Sequence, residues 1–116
     1  MNTTQRSLQH LRKSGWVADV TERWMPNSPR GFKGSIIRKD LFGFIDILAV
    51  HEEKGVLAVQ TTVYKSMRER LKKISKLSQV VTILASGIKI EVHGWQKIGG
   101  RWVCKVIQYP EVVLNF

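Results

Sequence analysis

The sequence predicts an α/β domain whose elements follow the order α-β-β-β-α-β-β. Two runs, 41–50 and 55–63, are strongly apolar and rich in β-branched residues, which is typical of strands. Between 64 and 86 the apolar residues instead recur every three or four positions, which is typical of an amphipathic helix. With 116 residues the chain is long enough for a substantial core and too short to divide, so we expect one domain over 1–116.

A helix, a strand and a loop are predicted for the first third of the chain. Thr3 or Thr4 would cap the helix, and Gly15 would end it. Residues 16–24 are rich in Trp, Val and Thr and predict the first strand. Residues 25–39 contain two prolines and two glycines, so we expect a long basic loop there.

Asp46 and Gln60 are strongly polar residues inside the next two apolar strands. The polar segment 51–55 ends in glycine and predicts a turn, so the two strands would pair as an antiparallel hairpin. That pairing would place Asp46 and Gln60 side by side. A carboxylate in an apolar strand is costly unless it is neutralised, and a divalent metal with oxygen ligands is one way to neutralise it.

The second half of the chain predicts one long helix followed by two strands. The helix spans 64–86 and ends at Gly87. Strands at 88–95 and 101–108 follow, joined by a turn with two glycines. The apolar face of the helix consists of Met67, Leu71, Ile74, Leu77, Val81 and Leu84.

The charge of the chain favours a polyanionic partner. Nineteen Lys and Arg stand against nine Asp and Glu, which gives a formal net charge of +10. Nucleic acid is the first expected partner and an anionic membrane the second, while a charge that only maintains solubility is the alternative. The cations expected to contact DNA phosphates, without reading sequence, lie in the basic loop and on the helix: Arg30, Lys33, Arg38, Lys39, Arg68 and Lys72.

Cys104 is the one cysteine, so an intramolecular disulfide is excluded and a reducing compartment is expected. No segment has the length and apolar character of a membrane span or a signal peptide. We therefore expect a soluble cytoplasmic protein without membrane association, in the host cytoplasm if a phage encodes it.

Two strand motifs resemble those of a known nuclease family. Phe44-Ile-Asp46-Ile-Leu-Ala and Leu57-Ala-Val-Gln60-Thr-Thr62 are similar to the metal-binding strands of the PD-(D/E)xK nuclease superfamily. The similarity covers roughly residues 4–95 and is nearest to the small Holliday-junction-resolvase-like and phage-associated members. It implies a restriction-endonuclease-like core, with a central mixed β-sheet flanked by helices.

The resemblance also implies an activity: endonucleolytic hydrolysis of branched or structured DNA, such as Holliday junctions, with Mg²⁺ (or Mn²⁺) as cofactor. Such a core has one active site, so a homodimer is expected. The implied metal ligands are Asp46, Gln60, the carbonyl of Thr61 and Glu22, with Asp40 behind Glu22. Acidic residues, which many resolvases carry on their first helix, are absent from the first helix of this chain.

The catalytic lysine of the family motif is replaced by Thr62 in this chain. A threonine carries no positive charge and takes no proton at neutral pH. We expect a cation of the following helix to replace it, with Lys73 and Arg70 best placed and Lys65 as a further candidate.

Other interpretations of these residues remain open. Asp46 can be a strand-end residue bonded to backbone amides, and Gln60 can bridge two strands. Glu22 can pair with Arg23 or a distant lysine. The departures from the family motif at positions 60 and 62 favour an alternative function, in which a catalytically decayed nuclease fold only binds nucleic acid. A structural protein within a larger assembly is the third possible function. Linear duplex, single strands and RNA remain possible substrates.

Overall fold

The structure is a computed structural model that describes residues 1–21, 23–26 and 36–111, with the backbone alone for 23–26 and 36–39. Its helices are α1 (Thr3–Lys13), α2 (Met67–Ser75) and α3 (Gln79–Ala85), with a 3₁₀ turn at Tyr64–Ser66. Its strands are β1 (Val17–Val20), β2 (Arg23–Pro26), β3 (Ile36–Lys39), β4 (Ile47–His51), β5 (Gly55–Val63), β6 (Lys89–Ile98) and β7 (Arg101–Tyr109).

The main sheet has five strands in the order β1-β4-β5-β6-β7. β5 and β6 are parallel and the other neighbours are antiparallel, so the sheet is mixed. β2 and β3 form a separate antiparallel pair. The predicted α/β class and mixed sheet are confirmed.

Helices cover both faces of this sheet. α1 packs on one face, and the apolar core there consists of Leu8, Leu11, Ala18, Ile47, Ala49, Leu57 and Val59. α2 and α3 cover the other face. The second core, beneath them, includes Phe44, Ile45, Ala58, Met67, Leu71, Ile74, Val80, Ile83, Ile90, Val92 and Ile107. None of the helices that the structure describes is long and apolar enough to cross a membrane.

The predicted order of elements is wrong in the stretch before the hairpin. The predicted strand at 16–24 divides into β1 and β2, and the predicted loop at 25–39 contains β3. β3 has apolar, β-branched Ile36 and Ile37, which form strands readily, but the prolines and glycines before them concealed this signal.

The predicted helix at 64–86 is likewise not continuous. It begins as a 3₁₀ turn, α2 ends at Ser75, and α3 starts at Gln79. Ser75 donates its hydroxyl to the carbonyl of Lys72 at 2.6 Å, a local bond that competes with regular helix continuation. The break changes the phase of the buried face, so Val80 is buried and the predicted face residue Val81 is 73% exposed.

A tight turn precedes β4, where strand had been predicted from residue 41 onwards. Phe42 and Gly43 have φ values of 54° and 85°, in the left-handed region. Leu41 and Ile45 form an isolated bridge across this turn. The turn buries the side chains of Phe44 and Ile45 and brings Asp46 to the start of β4.

Gly94 allows the start of α2 to lie directly on β6. A Cβ atom at this position would lie 2.2 Å from the sulfur of Met67, well inside any tolerated contact. Gly94 pairs with Thr62 across β5 and β6. The contact therefore fixes α2 beside the end of β5.

Gly94→Ala should lower the free energy of unfolding by about 1–3 kcal/mol, because the added methyl overpacks this contact. In a double-mutant cycle by chemical denaturation, combining it with Met67→Ala should cost about 1 kcal/mol less than the sum of the single losses. Additive losses would show that the two residues do not meet.

A buried polar network joins α1 to β6. The indole N–H of Trp95 donates to the hydroxyl of Ser7 at 2.8 Å, and Ser7 also contacts His93 Nδ1 at 3.0 Å. His93 Nε2 lies 3.0 Å from Glu91. Ser7 and His93 are almost fully buried, so this network fixes the position of α1 over the parallel strands.

Ser7→Ala should destabilise the protein by about 1–3 kcal/mol, because it leaves the buried indole N–H of Trp95 without an acceptor. Ser78→Ala is the matched control: Ser78 is exposed and makes no side-chain capping bond. Equal thermal denaturation midpoints for the two variants would contradict the network.

Candidate active site

A cavity of about 640 Å³ lies at the carboxyl end of β5. Four parts of the chain meet there: the start of α1, the turn before β4, the end of β5, and the segment that begins α2. The lining residues are Asn2, Thr3, Thr4, Asp40, Asp46, Gln60, Thr61, Thr62, Val63, Ser66 and Arg70. One cavity therefore brings together five of the residues predicted as metal ligands or catalytic residues: Asp46, Gln60, Thr61, Thr62 and Arg70.

Asp46 and Gln60 are neighbours, as the hairpin predicted. β4 and β5 pair from His51–Gly55 to Ile47–Val59, so Asp46 directly precedes and Gln60 directly follows the last pair. The Asp46 N–H donates to the carbonyl of Val59 at 2.9 Å, one residue out of that register, so the regular pairing ends at Ile47 and Val59. The register thus brings the two polar side chains to the point where the paired part of the hairpin ends.

The Asp46 carboxylate is held by Thr61. Its Oδ2 atom accepts the backbone N–H of Thr61 at 2.8 Å and the Thr61 hydroxyl at 3.3 Å. The side chain is 4% exposed, and these bonds compensate part of its desolvation. One carboxylate oxygen of Asp46 thus accepts a backbone amide, as the alternative interpretation of this residue predicted. The bonds from Thr61 also orient the carboxylate beside the cavity.

Gln60 contributes a buried polar atom that needs a partner. The residue is 3% exposed, and its Oε1 atom has no hydrogen-bond donor among the residues that the structure describes. An unsatisfied buried acceptor costs about 1–3 kcal/mol. The strand-bridging interpretation does not account for this atom, whereas a cation or a donor within the cavity would satisfy it.

Thr61 also connects Asp46 to α1. Its hydroxyl lies 2.8 Å from that of Thr4 and accepts a weaker bond from Thr3 at 3.5 Å. Because Thr61 donates to Asp46, Thr4 is the donor in its bond with Thr61. A chain of hydroxyl groups therefore runs from the first turn of α1 to the carboxylate.

The N-terminus of α1 was missed as part of the site. The capping residue is Asn2, whose side chain accepts the N–H of Gln5 at 2.9 Å, and not the predicted Thr3 or Thr4. Threonine near a helix start is typical of capping. The sequence around Thr4 could not predict its bond to Thr61, because the two residues lie 57 positions apart.

Arg70 lines the cavity from α2, and Lys73 is exposed and does not. The Arg70 Nε atom is buried and has no acceptor within the described ranges 1–21, 23–26 and 36–111. Thr62, which the resemblance places at the motif lysine, is 6% exposed and lines the same cavity. Of the two best-placed cations predicted to replace the lysine, the structure brings Arg70 to the cavity.

The other predicted site residues have varied positions. Asp40 lines the cavity, whereas Lys72 is exposed on α2. Arg68 donates to Glu111 at 2.7 Å, and this bond raises the pKa of its guanidinium. Glu22, Arg30 and Lys33 lie outside the described residues, as do the side chains of Arg38 and Lys39.

Histidine and cysteine chemistry does not account for the cavity. Among the residues described, no group of three or more His, Cys, Asp or Glu is arranged to hold a metal. Cys104 is half-buried on β7, away from the cavity lining, and burial raises its pKa to about 11. The thiol is therefore protonated at neutral pH and is a poor nucleophile or ligand.

Comparison with protein-family models, with curated proteins and with solved structures finds no match to this chain. The resemblance to the PD-(D/E)xK superfamily therefore stays a prediction, which rests on the two strand motifs.

Proposed function

We propose that this protein is a Mg²⁺- or Mn²⁺-dependent endonuclease of the PD-(D/E)xK type, acting on DNA and in particular on branched or structured DNA such as Holliday junctions. One observation carries the proposal: Asp46, Gln60, Thr62 and Arg70 line one cavity, and buried polar atoms of Gln60 and Arg70 lack partners there within the described chain. A symmetric homodimer, which would bring two such sites to a junction, is part of the proposal.

The oxygen atoms around the cavity fit a divalent metal. Asp46 supplies a carboxylate and Gln60 an unsatisfied amide oxygen. The N–H of Thr61 points towards Asp46, and the carbonyl of a strand residue points to the same edge as its N–H, so the Thr61 carbonyl is a third candidate ligand. A bound Mg²⁺ would supply Lewis acidity and lower the pKa of a coordinated water.

The side chains would perform different tasks around the phosphodiester. Thr61 holds the Asp46 carboxylate in a fixed orientation through two hydrogen bonds. Arg70 would stabilise the negative charge that develops on the phosphate. Arginine does not accept a proton, and neither does Thr62, so these two residues leave the activation of water to other groups.

Gln60→Glu should strengthen Mn²⁺ binding by roughly tenfold, because a carboxylate replaces a neutral ligand and ligand charge sets the affinity of such sites. Titration calorimetry measures this effect. Gln9→Glu makes the same charge change at an exposed position of α1 and serves as the control. If both variants bind Mn²⁺ equally, Gln60 is not a ligand.

Arg70→Met should slow cleavage of a synthetic junction by roughly a hundredfold or more, because it removes the cation that stabilises the transition state. Lys73→Met is the matched control, since it removes one charge from the same helix outside the cavity, and it should keep nearly full activity. Equal loss in both variants would mean that Arg70 acts only through the general charge of α2.

The second candidate function is nucleic-acid binding by a decayed nuclease fold. Its support is the neutral pair Gln60 and Thr62 at two motif positions, together with the net charge of +10. Wild-type protein that binds a junction but cleaves no junction, duplex, single strand or RNA with Mg²⁺ or Mn²⁺ would favour this candidate over hydrolysis.

A further inference from the structure

We propose that the N-terminus of α1 is a phosphate-binding element of the cavity. The inference deepens the proposed function and rests on it, because it takes the ligand to be a nucleic-acid phosphate. It assigns to Thr3 and the first turn of α1 a part in substrate binding that the strand motifs do not predict.

The first turn of α1 offers hydrogen-bond donors without an internal acceptor. In any α-helix the first N–H groups have no intrahelical partner, which applies here to Thr3 and Thr4. The Asn2 side chain accepts the N–H of Gln5 and its backbone carbonyl accepts that of Arg6, so neither bond satisfies the N–H groups of Thr3 and Thr4. The first turn contains no acidic residue, so nothing on the helix neutralises the partial positive charge at this end.

An independent observation shows that the cavity has a place for a ligand. Gln60 is 3% exposed and lines the same cavity, and its Oε1 atom has no donor among the described residues. This acceptor requires a cation or a donor, whereas the end of α1 and the buried Nε of Arg70 both favour an anion. A metal-bound phosphodiester satisfies all three, since it presents a cation and anionic oxygens together.

The hydrogen bonds indicate different roles for Thr3 and Thr4. The Thr4 hydroxyl is buried and is used in the bond to Thr61 that supports Asp46. Thr3 is only partly buried, and its bond to Thr61 is long, at 3.5 Å. The phosphate would therefore bind the N–H groups of the first turn and the Thr3 hydroxyl, and Thr4 would position the carboxylate.

The position of the carboxylates determines which phosphate this is. Asp40 and Asp46 lie in the same cavity and repel an anion in the absence of metal. An anion at the N-terminus of α1 would therefore be a phosphate other than the scissile one, which the proposed function places beside Asp46. A phosphate within the strand and a terminal 5′-phosphate share this chemistry.

Thr3→Asp tests the proposal, because it places a negative charge where the phosphate would bind. Fluorescence anisotropy would measure binding of labelled octathymidylate, with a 5′-hydroxyl or a 5′-phosphate, in EDTA so that the new carboxylate cannot recruit a metal. Affinity should fall roughly tenfold relative to wild type. Gln9→Glu, six residues along α1 and thus about 9 Å away, should change affinity less than twofold.

Protein stability separates this effect from unfolding. An acidic residue in the first turn of a helix is favourable and offsets repulsion from Asp46, so the thermal midpoint of Thr3→Asp should stay close to that of wild type. Weakened binding of both oligonucleotides would assign the site to an internal phosphate, and weakened binding of the 5′-phosphorylated one alone to a terminal phosphate. Equal affinities of Thr3→Asp and Gln9→Glu for both oligonucleotides would overturn the proposal.

The outcome is independent of hydrolysis. If the wild type cleaves no substrate but Thr3→Asp still binds more weakly than Gln9→Glu, the phosphate site stands and the nuclease proposal fails. If the wild type cleaves a junction and the two variants bind alike, the nuclease proposal stands and the phosphate site fails.

Discussion

The bond between the Thr61 N–H and the Asp46 carboxylate is the interaction on which the site depends. At 2.8 Å it takes the place of a backbone pair at the end of β4 and β5. The same threonine receives the hydroxyl of Thr4 from α1. One residue of β5 therefore stops the pairing of the hairpin, orients the acidic side chain and joins the first helix to it.

The opposite wall of the cavity depends on packing. Gly94 has no side chain, so Met67 lies against β6 and the first turn of α2 sits beside Thr62. Arg70 then lies one turn further along α2 and lines the cavity. A polar contact on one face of the sheet and an apolar contact on the other thus converge on the end of β5.

Local signals in the sequence were sufficient for the central hairpin. The alternation of apolar and polar segments predicted β4, β5 and their turn, and the register leaves Asp46 and Gln60 directly beyond the last pair, where both line the cavity. The pair formed by β2 and β3 was not predicted, because prolines and glycines in that stretch indicate a loop. The apolar period of 64–86 continued across Ser75, so it could not show where α2 ends.

Contacts distant in sequence account for the rest of the site. The part played by Thr4 depends on a bond to Thr61, and a threonine near a helix start reads as a cap. Helical periodicity could not decide whether Arg70 or Lys73 faces the cavity. The rotation of α2 about its axis depends on how Met67 packs against Gly94. Tertiary packing decides such questions, and periodicity alone does not.

The central claim is that a divalent metal binds between Asp46 and Gln60. Paramagnetic broadening of backbone amide resonances by substoichiometric Mn²⁺ tests it directly, because broadening falls steeply with distance from the ion. The amides of Asp46, Gln60 and Thr61 should broaden first, and those of His10 and Glu91, at a second cavity beside α1, should stay sharp. Broadening centred on His10 and Glu91, or no selective broadening, would contradict the claim.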